Sequence, residues 1–193
     1  MKKTFKPFPV LITERLILKE LQTFHIDALY GYHSNAENFK FVQMNVHLSR
    51  EETKAYIQKM NDGVKQNKWI IWAICLRETD EIIGTISIWN LNEERNSGEL
   101  GYGIFPDFRR NGFMREALDA VVSHAFDNLS LELVEAYTGE DNIPSIQFLE
   151  STAFQYVETI IDDYSNGERM KIYRLSHVSL DKPLRDGSSA LLF

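Results

Sequence analysis

Arginines flank an Asn-Gly pair in the middle of the chain, where residues 109–115 read Arg109, Arg110, Asn111, Gly112, Phe113, Met114 and Arg115. From residue 114 to residue 129 apolar side chains recur at the spacing of an amphipathic helix. The first N–H groups of a helix have no intrahelical acceptor and carry partial positive charge, so they favour an anion. The stretch therefore predicts a phosphate site, although an ordinary solvated Asn-Gly turn would have the same local sequence.

A strand predicted at residues 99–105 precedes this loop and divides its side chains unevenly. Alternation places Leu100, Tyr102 and Ile104 on one face, and Glu99, Gly101 and Gly103 on the other. Glycines inside a strand indicate a bulge or the close approach of a ligand, and we expect open space before the Glu99 carboxylate. A solvated surface carboxylate is the alternative for Glu99, because glutamate is usually exposed.

The remaining elements that must position these residues follow from periodicity and caps. We predict strands at 11–21, 69–76, 82–89, 131–138, 155–164 and 168–175, and helices at 23–35, 49–60 and from about 141. Ser49 to Glu52 form a capping box, and Asn61-Asp62-Gly63 is expected to end that helix. A polar loop is predicted at 90–98, and Pro144 suits the first turn of the short helix, with Asn142 as its cap.

Length and composition indicate one globular domain. The chain has 193 residues, of which 44% are hydrophobic and 25% charged, and its net charge is −7. This charge argues against a nucleic-acid surface and favours a cationic partner. The single cysteine, Cys75, excludes an intrachain disulfide and is expected to be a buried thiol. The apolar run 69–76 is too short to span a bilayer, so we expect a cytoplasmic protein without a membrane partner.

The order of these elements resembles that of the GNAT acetyltransferase superfamily. The segments that carry the resemblance are Thr13-Glu14-Arg15-Leu16-Ile17-Leu18, Glu99-Leu100-Gly101-Tyr102, the arginine-glycine loop, and Asn142 followed by Ser145. Together they are similar to the RimJ/RimL ribosomal-protein N-acetyltransferase branch. The resemblance implies an α/β (α+β) fold with a central mixed, mostly antiparallel twisted sheet of six to seven strands and about four helices. It covers a domain at 11–175, between an N-terminal extension at 1–10 and a tail at 176–193.

The resemblance also implies acetyl-CoA as co-substrate and no metal. In the superfamily the loop before the long helix reads Gln/Arg-x-x-Gly-x-Gly/Ala and holds the pyrophosphate; here Arg109 and Gly112 match, and Met114 stands where Gly or Ala is usual. The residues that this likeness assigns to acetyl-CoA are Ile104, Phe105, Arg109, Arg110, Asn111, Gly112, Phe113, Met114, Asn142, Ser145 and Phe148.

Two residues are candidates for catalysis. A cationic amine must lose a proton before it attacks a thioester, and Glu99 is the candidate general base, acting through water. Ser145 resembles the serine that RimL-like enzymes place against the sulfur, where many relatives use a tyrosine; here Phe148-Leu149 has no hydroxyl. Helix capping is the alternative role for Ser145. A backbone N–H within residues 103–105 would stabilise the oxyanion.

The implied function is acetyl transfer by direct attack of a primary amine, foremost the α-amine of a ribosomal or other protein N-terminus. A small amine acceptor, such as a polyamine, an antibiotic or an amino acid, and a non-catalytic acyl-CoA sensor are the alternatives. We expect a monomer or a homodimer without direct nucleic-acid contact.

The five histidines show no metal-ligand spacing, and the dinucleotide fingerprint is incomplete after Gly103.

Overall fold

The computed structural model describes residues 4–42, 44–162 and 167–177. They contain one sheet of eight strands in the order β1-β2-β3-β4-β5-β6-β8-β7. The strands are β1 Leu11–Ile12, β2 Leu16–Lys19, β3 Ile70–Leu76, β4 Ile82–Asn92, β5 Ser97–Ile104, β6 Leu133–Gly139, β7 Gln155–Asp162 and β8 Glu168–Ser176. Neighbouring strands are antiparallel except β5 and β6, which are parallel. The predicted mixed, mostly antiparallel sheet is confirmed.

The sheet has one strand more than predicted because residues 11–21 do not form one continuous strand. They fold back as a short hairpin in which Leu11 pairs with Leu18 and Ile12 with Ile17. The turn between them is closed by a hydrogen bond of 3.0 Å from Thr13 N to Leu16 O. Arg15 lies in this turn and contacts Glu116, in the helix that follows β5.

The four predicted helices are confirmed as α1 Ile26–His33, α2 Arg50–Lys65, α3 Phe113–Asp127 and α4 Ile143–Glu150. A short 3-10 turn, Thr23–His25, begins the α1 region. Ser49 caps α2 and accepts a hydrogen bond of 3.2 Å from Glu52 N. None of the helices in the described residues is long and apolar enough to cross a membrane.

The predicted end of α2 at Asn61-Asp62-Gly63 is wrong, because the helix continues to Lys65. Gly63 instead makes room for the Trp69 indole, since a Cβ there would lie 2.0 Å from Trp69 Cε2. After the cap residue Gln66, Asn67 adopts the left-handed conformation, with a φ of 56°, and stops the helix from continuing. Lys68 N donates to Gly63 O at 2.9 Å and Asn67 N to Val64 O at 3.0 Å, the two bonds of a Schellman motif.

The polar loop predicted at 90–98 is also shorter than expected. Strand β4 runs on to Asn92 and β5 begins at Ser97, so that only residues 93–96 connect them. The pairing of the two strands shifts between Trp89 and Asn92, where Asn90 has a φ of 46°. After this bulge the two strands pair again, at Asn92 and Ser97. The polar composition of residues 90–98 did not predict this pairing.

The core lies on both faces of the central strands. Strand β3 is buried at every position except Leu76, as predicted from its apolar residues on both faces. Helix α3 covers one face with a stripe of buried side chains, Ala117, Leu118, Val121, Val122, Ala125 and Phe126. Residues before the first strand also contribute: Phe5 is 2% exposed, and Pro9 O accepts a hydrogen bond of 2.7 Å from Trp72 Nε1.

Parts of two predictions lie outside the described residues, namely the hairpin turn around Ser165-Asn166 and most of the tail at 176–193. The division into an extension, a domain at 11–175 and a tail stays a prediction.

Candidate active site

The two parallel strands at the centre of the sheet separate after a short common stretch. Ladder pairs join β5 to β6 at Ser97 and Leu133, Gly98 and Val134, and Glu99 and Glu135. Beyond Glu99, β5 stays paired to β4 as far as Ile104 and β6 stays paired to β8 as far as Gly139. The described parts of β5 and β6 thus diverge into a cleft with a backbone edge on each side. Such edges offer N–H and C=O groups to an extended ligand.

Glu99 lies at the fork where this cleft begins. Its Oε1 accepts a hydrogen bond from Asn90 Nδ2, so the bulge in β4 places a donor against the carboxylate. The residue opposite it, Glu135, is 3% exposed and accepts hydrogen bonds from Arg95 at 3.0 Å and Arg174 at 2.7 Å. Sequence reasoning missed Asn90, because no local pattern indicated the bulge that positions it.

The open space expected beside Glu99 is partly filled, and this expectation is wrong for the two glycines. A Cβ at Gly101 would lie 2.8 Å from Ser87 Oγ, and one at Gly103 would lie 3.2 Å from the Tyr32 hydroxyl. The Tyr32 ring also stacks on Phe105, with centroids 4.8 Å apart. These glycines accommodate side chains from β4 and α1, and α1 thereby packs against the end of β5.

Gly112 begins α3 in the left-handed conformation, with a φ of 79°. The first helical hydrogen bond runs from Glu116 N to Gly112 O at 3.1 Å. The N–H groups of Phe113, Met114 and Arg115 therefore precede the helical ladder and have no intrahelical acceptor. The loop 105–112 joins the end of β5 to these N–H groups, which form the positive end of α3.

The arginines of the loop have different surroundings. Arg109 Nε donates to Ile104 O at 3.3 Å, which ties the loop to the end of β5. Arg110 is exposed and has a φ of 63°. Arg115, the last arginine of the stretch 109–115, donates through Nη2 to Ser151 O and ties α3 to the end of α4. Met114 is half-buried and packs against the core.

Arg15 supplies the third cation of the loop, and sequence reasoning did not assign it there. Its Nη1 donates to Asn111 O at 2.9 Å, and its guanidinium lies 4.5 Å from the centroid of the Phe113 ring. Its Nη2 would lie 3.3 Å from a Cβ at Gly112. The sequence indicates the segment Thr13-Glu14-Arg15 only through the family resemblance. Arg15 and Asn111 are so far apart in the chain that no local pattern predicts their contact.

Glu116 fastens this arginine to α3. The carboxylate accepts hydrogen bonds from Thr13 Oγ1 at 2.5 Å, from Arg15 N at 2.8 Å and from Arg15 Nε at 2.6 Å. Burial alone would raise the pKa of Glu116, but these hydrogen bonds and the charge of Arg15 lower it overall. The β1–β2 turn, the loop and the first turn of α3 are therefore one connected unit.

Helix α4 brings Ser145 against β5. Asn142 is the cap of this helix, and its side-chain oxygen accepts from Ser145 N at 3.3 Å. The Ser145 hydroxyl lies 2.8 Å from the Tyr102 hydroxyl, and the rings of Tyr102 and Phe148 meet edge to face at 5.2 Å. Capping, the alternative role for the Ser145 side chain, is thus wrong, because Asn142 performs it. Burial raises the pKa of Tyr102 to about 12, so its hydroxyl stays protonated near neutral pH.

Other reactive side chains lie away from this region. Cys75 is fully buried as predicted, and burial raises the pKa of its thiol to about 12. Within residues 4–42, 44–162 and 167–177, no group of three or more His, Cys, Asp and Glu side chains is placed to hold a metal ion. His25, His33 and His47 are buried in the structure.

Residues 15–155 match the family profile of the acetyltransferase (GNAT) domain, and the chain belongs to this family. It is an N-acetyltransferase by family. The uncharacterized N-acetyltransferase YoaA of Bacillus subtilis is 34% identical over 77% of this chain and 84% of its own. The uncharacterized N-acetyltransferase p20 of Bacillus licheniformis is 30% identical over 86% of this chain and 94% of its own.

A similar solved structure is RimL, described as a ribosomal L7/L12 α-N-protein acetyltransferase in complex with coenzyme A. It has a TM-score of 0.77 and 16% identity, and the match covers 87% of this chain and 98% of that one. This likeness confirms the GNAT fold that the sequence predicted.

Proposed function

We propose that this enzyme transfers the acetyl group of acetyl-CoA to the α-amine of a protein N-terminus, by direct attack of the amine on the thioester. The observation that carries the proposal is the cleft between β5 and β6, which begins at Glu99, together with the first N–H groups of α3, which the loop 105–112 connects to the end of β5. An acyl-CoA is an extended molecule with an anionic end, and the cleft presents backbone edges followed by helix N–H groups.

Acetyl-CoA is the donor used by GNAT acetyltransferases, and the residues here fit it. The pyrophosphate would lie on the N–H groups after Gly112, beside the cations of Arg15, Arg109 and Arg110. The pantetheine amides would pair with the β5 edge near Ile104 and Phe105. Asn142 would contribute its amide nitrogen, since its oxygen caps α4. Met114 does not interfere with this arrangement, because the contacts use main-chain N–H groups and its side chain packs inward.

Glu99 is the proposed general base. An ammonium group cannot attack a carbonyl carbon, so the amine must first give up a proton. If the phosphates occupy the loop before α3, the thioester would lie in the cleft between that loop and the fork at Glu99. The hydrogen bond from Asn90 orients the carboxylate. We propose that water relays the proton from the amine to Glu99.

Collapse of the tetrahedral intermediate requires two further groups. A backbone N–H of Gly103 or Ile104 would donate to the oxyanion, since the Phe105 N–H already donates to Ile83 O at 2.8 Å. Ser145, on the opposite face of β5 from Glu99, would donate its hydroxyl to the departing thiolate. The thioester would lie between them because the cleft passes through the sheet.

A protein N-terminus is the proposed acceptor for chemical reasons as well as similarity. The pKa of an α-amine is about 8, against about 10.4 for a lysine or a similar alkyl amine, so the α-amine is deprotonated far more easily near neutral pH. The net charge of −7 favours approach of a basic partner. RimL is described as acting on an α-amine of a ribosomal protein, which supports the same acceptor class here.

A thiol-release assay with acetyl-CoA tests the proposal. The acceptors are short peptides with free N-termini, the same peptides with blocked N-termini, polyamines and amino acids. We expect the highest kcat/KM with free N-termini and no release with blocked peptides that lack lysine. Release with polyamines or amino acids alone would assign a small-amine acceptor, and silence with every amine would contradict the proposed function.

A further inference from the structure

Tyr102 and Ser145 approach each other from different elements. Tyr102 projects from β5 on the face opposite Glu99, and Ser145 is in the first turn of α4. Their hydroxyl oxygens are 2.8 Å apart, and Phe148 packs its ring against Tyr102 at 5.2 Å. The tyrosine is therefore held in place by packing on one side and by a hydrogen bond at its tip.

We propose that Tyr102 is a positioning residue for acetyl transfer: it donates a hydrogen bond to Ser145 Oγ and thereby directs the Ser145 proton toward the sulfur of the leaving thiol. This inference rests on the proposed function. It adds a second hydroxyl, from β5, to the single hydroxyl that sequence similarity assigned to this step.

The direction of the hydrogen bond follows from the chemistry of the two groups. A phenol is a stronger acid than an aliphatic alcohol and so is the better donor of the pair. A serine hydroxyl has one proton and two acceptor sites, so it can accept from Tyr102 and donate elsewhere at once. Ser145 N–H is already satisfied by Asn142. Without Tyr102, the serine hydroxyl is able to turn back to a backbone carbonyl of the preceding turn, as serines in helices do.

The pair acts by hydrogen bonding and does not protonate the sulfur. Burial raises the pKa of Tyr102 to about 12. An ordinary thiol has a pKa of about 8.5, so proton transfer from Tyr102 through Ser145 to the thiolate is unfavourable by a factor of roughly 10³. When the C–S bond breaks, its electron pair goes to sulfur, which accepts the Ser145 hydrogen bond. The thiolate takes a proton from water after release, and the amine proton leaves on the Glu99 side.

Tyr102→Phe tests this role, because it keeps the ring against Phe148 and removes only the hydroxyl. We expect kcat to fall about fivefold to tenfold, as for loss of one neutral hydrogen bond, with KM for acetyl-CoA unchanged. Ser145→Ala should lower kcat about 10²-fold, the effect of losing a direct donor to developing charge. The double variant should match Ser145→Ala alone, since Tyr102 acts only through Ser145.

Tyr30→Phe is the matched control. Tyr30 lies on α1, and its hydroxyl donates to Leu48 O at 3.4 Å. This variant should keep wild-type kcat, and kcat of every variant is normalised to the folded fraction from thermal unfolding.

Two results would overturn the role of Tyr102: a Tyr102→Phe enzyme with wild-type kcat, or a double variant that loses a further fivefold or more beyond Ser145→Ala. A wild-type protein that releases no thiol with any amine would overturn the proposed function itself, and the role of Tyr102 with it.

Discussion

Among single residues, the surroundings of Glu99 decide whether it can act as a base. The carboxylate accepts a hydrogen bond from Asn90 and lies across the ladder from Glu135, which two arginines neutralise. We propose Glu99 as the base, because Glu135 is buried and is held by Arg95 and Arg174.

Replacing Glu99 with Gln should lower the acetylation rate most at low pH. Below the pKa of the acceptor amine, which is about 8 for an α-amine, the proton must be removed during the reaction; above it, the free amine already predominates. The defect should therefore shrink as pH rises past about 8 with a peptide acceptor. The measurement is the pH profile of kcat/KM for both enzymes.

Glu94→Gln is the control for the charge change, since Glu94 is exposed in the connection between β4 and β5. Its profile should follow the wild-type curve. A Glu99→Gln defect of equal size at every pH would exclude Glu99 as the base.

Among the elements, the loop 109–112 that we propose as the phosphate site is not an isolated turn. It is held by the β1–β2 turn, through Arg15 and Thr13, and by Glu116 from the first turn of α3. Preorganised N–H groups bind an anion without having to be ordered first, so this support should appear in affinity for the donor.

Gly112→Ala tests the loop. Alanine at a φ of 79° is strained by about 1–2 kcal/mol, and its Cβ would press on Arg15 Nη2 from 3.3 Å. We expect the Kd for acetyl-CoA to rise about tenfold, equivalent to about 1.4 kcal/mol of binding free energy. Isothermal titration measures it.

Gly167 provides a matched control, because it has a φ of 82° and a Cβ there would meet no atom of the described residues within 4 Å. Gly167→Ala should lose similar stability and keep its Kd for acetyl-CoA. Equal Kd values for the two variants would show that the Gly112 loop does not bind the donor.

Arg15→Met removes the charge and keeps much of the aliphatic length. We expect weaker acetyl-CoA binding with little change in kcat at saturating donor, because Arg15 contacts the loop and not the fork. Arg50→Met is the control, because the exposed Arg50 side chain donates to Asp27 Oδ1 at 2.6 Å, between α2 and α1. A fall in kcat at saturation without a change in KM for acetyl-CoA would contradict this placement.

At the scale of the whole molecule, much of the fold could be predicted from periodicity. The buried run of β3, the stripe of α3 and the Asn142 cap are local patterns, and the structure contains each of them. The end of α2 was missed because Gly63 serves a contact with Trp69 and the terminating residue is Asn67. Asn90, Arg15 and Tyr102 reach the site through a bulge, a hairpin and a helix contact, and such tertiary relations leave no periodic signal.

Burial of histidines should make the whole fold sensitive to acid. Burial, and then the charge of Lys19, lowers the pKa of His25 to about 4, while Asp80 partly opposes this; burial, and then His47, lowers the pKa of His33 to about 4. Below the unfolded pKa of about 6.5 the unfolded chain binds these protons and the folded chain does not, so stability is full above that pH and falls toward pH 4.

Urea titrations at pH 7 and pH 5 measure this effect. We expect a loss of about 2 kcal/mol for each of the two histidines over this interval. His25→Asn, whose oxygen can replace Nδ1 as the acceptor for Gln22 N, should remove part of the pH dependence. Identical free energies of unfolding at both pH values would contradict the burial of neutral imidazoles.

We propose that the acetyl group goes from acetyl-CoA to a protein N-terminal α-amine. The most direct test is to incubate the enzyme and acetyl-CoA with one peptide that has both a free N-terminus and an internal lysine, and to locate the added acetyl group by tandem mass spectrometry. We expect acetylation at the N-terminus of the peptide, and we expect this acetylation to disappear when the N-terminal amine is blocked. Acetylation of the lysine alone, or none while polyamines are acetylated, would contradict it.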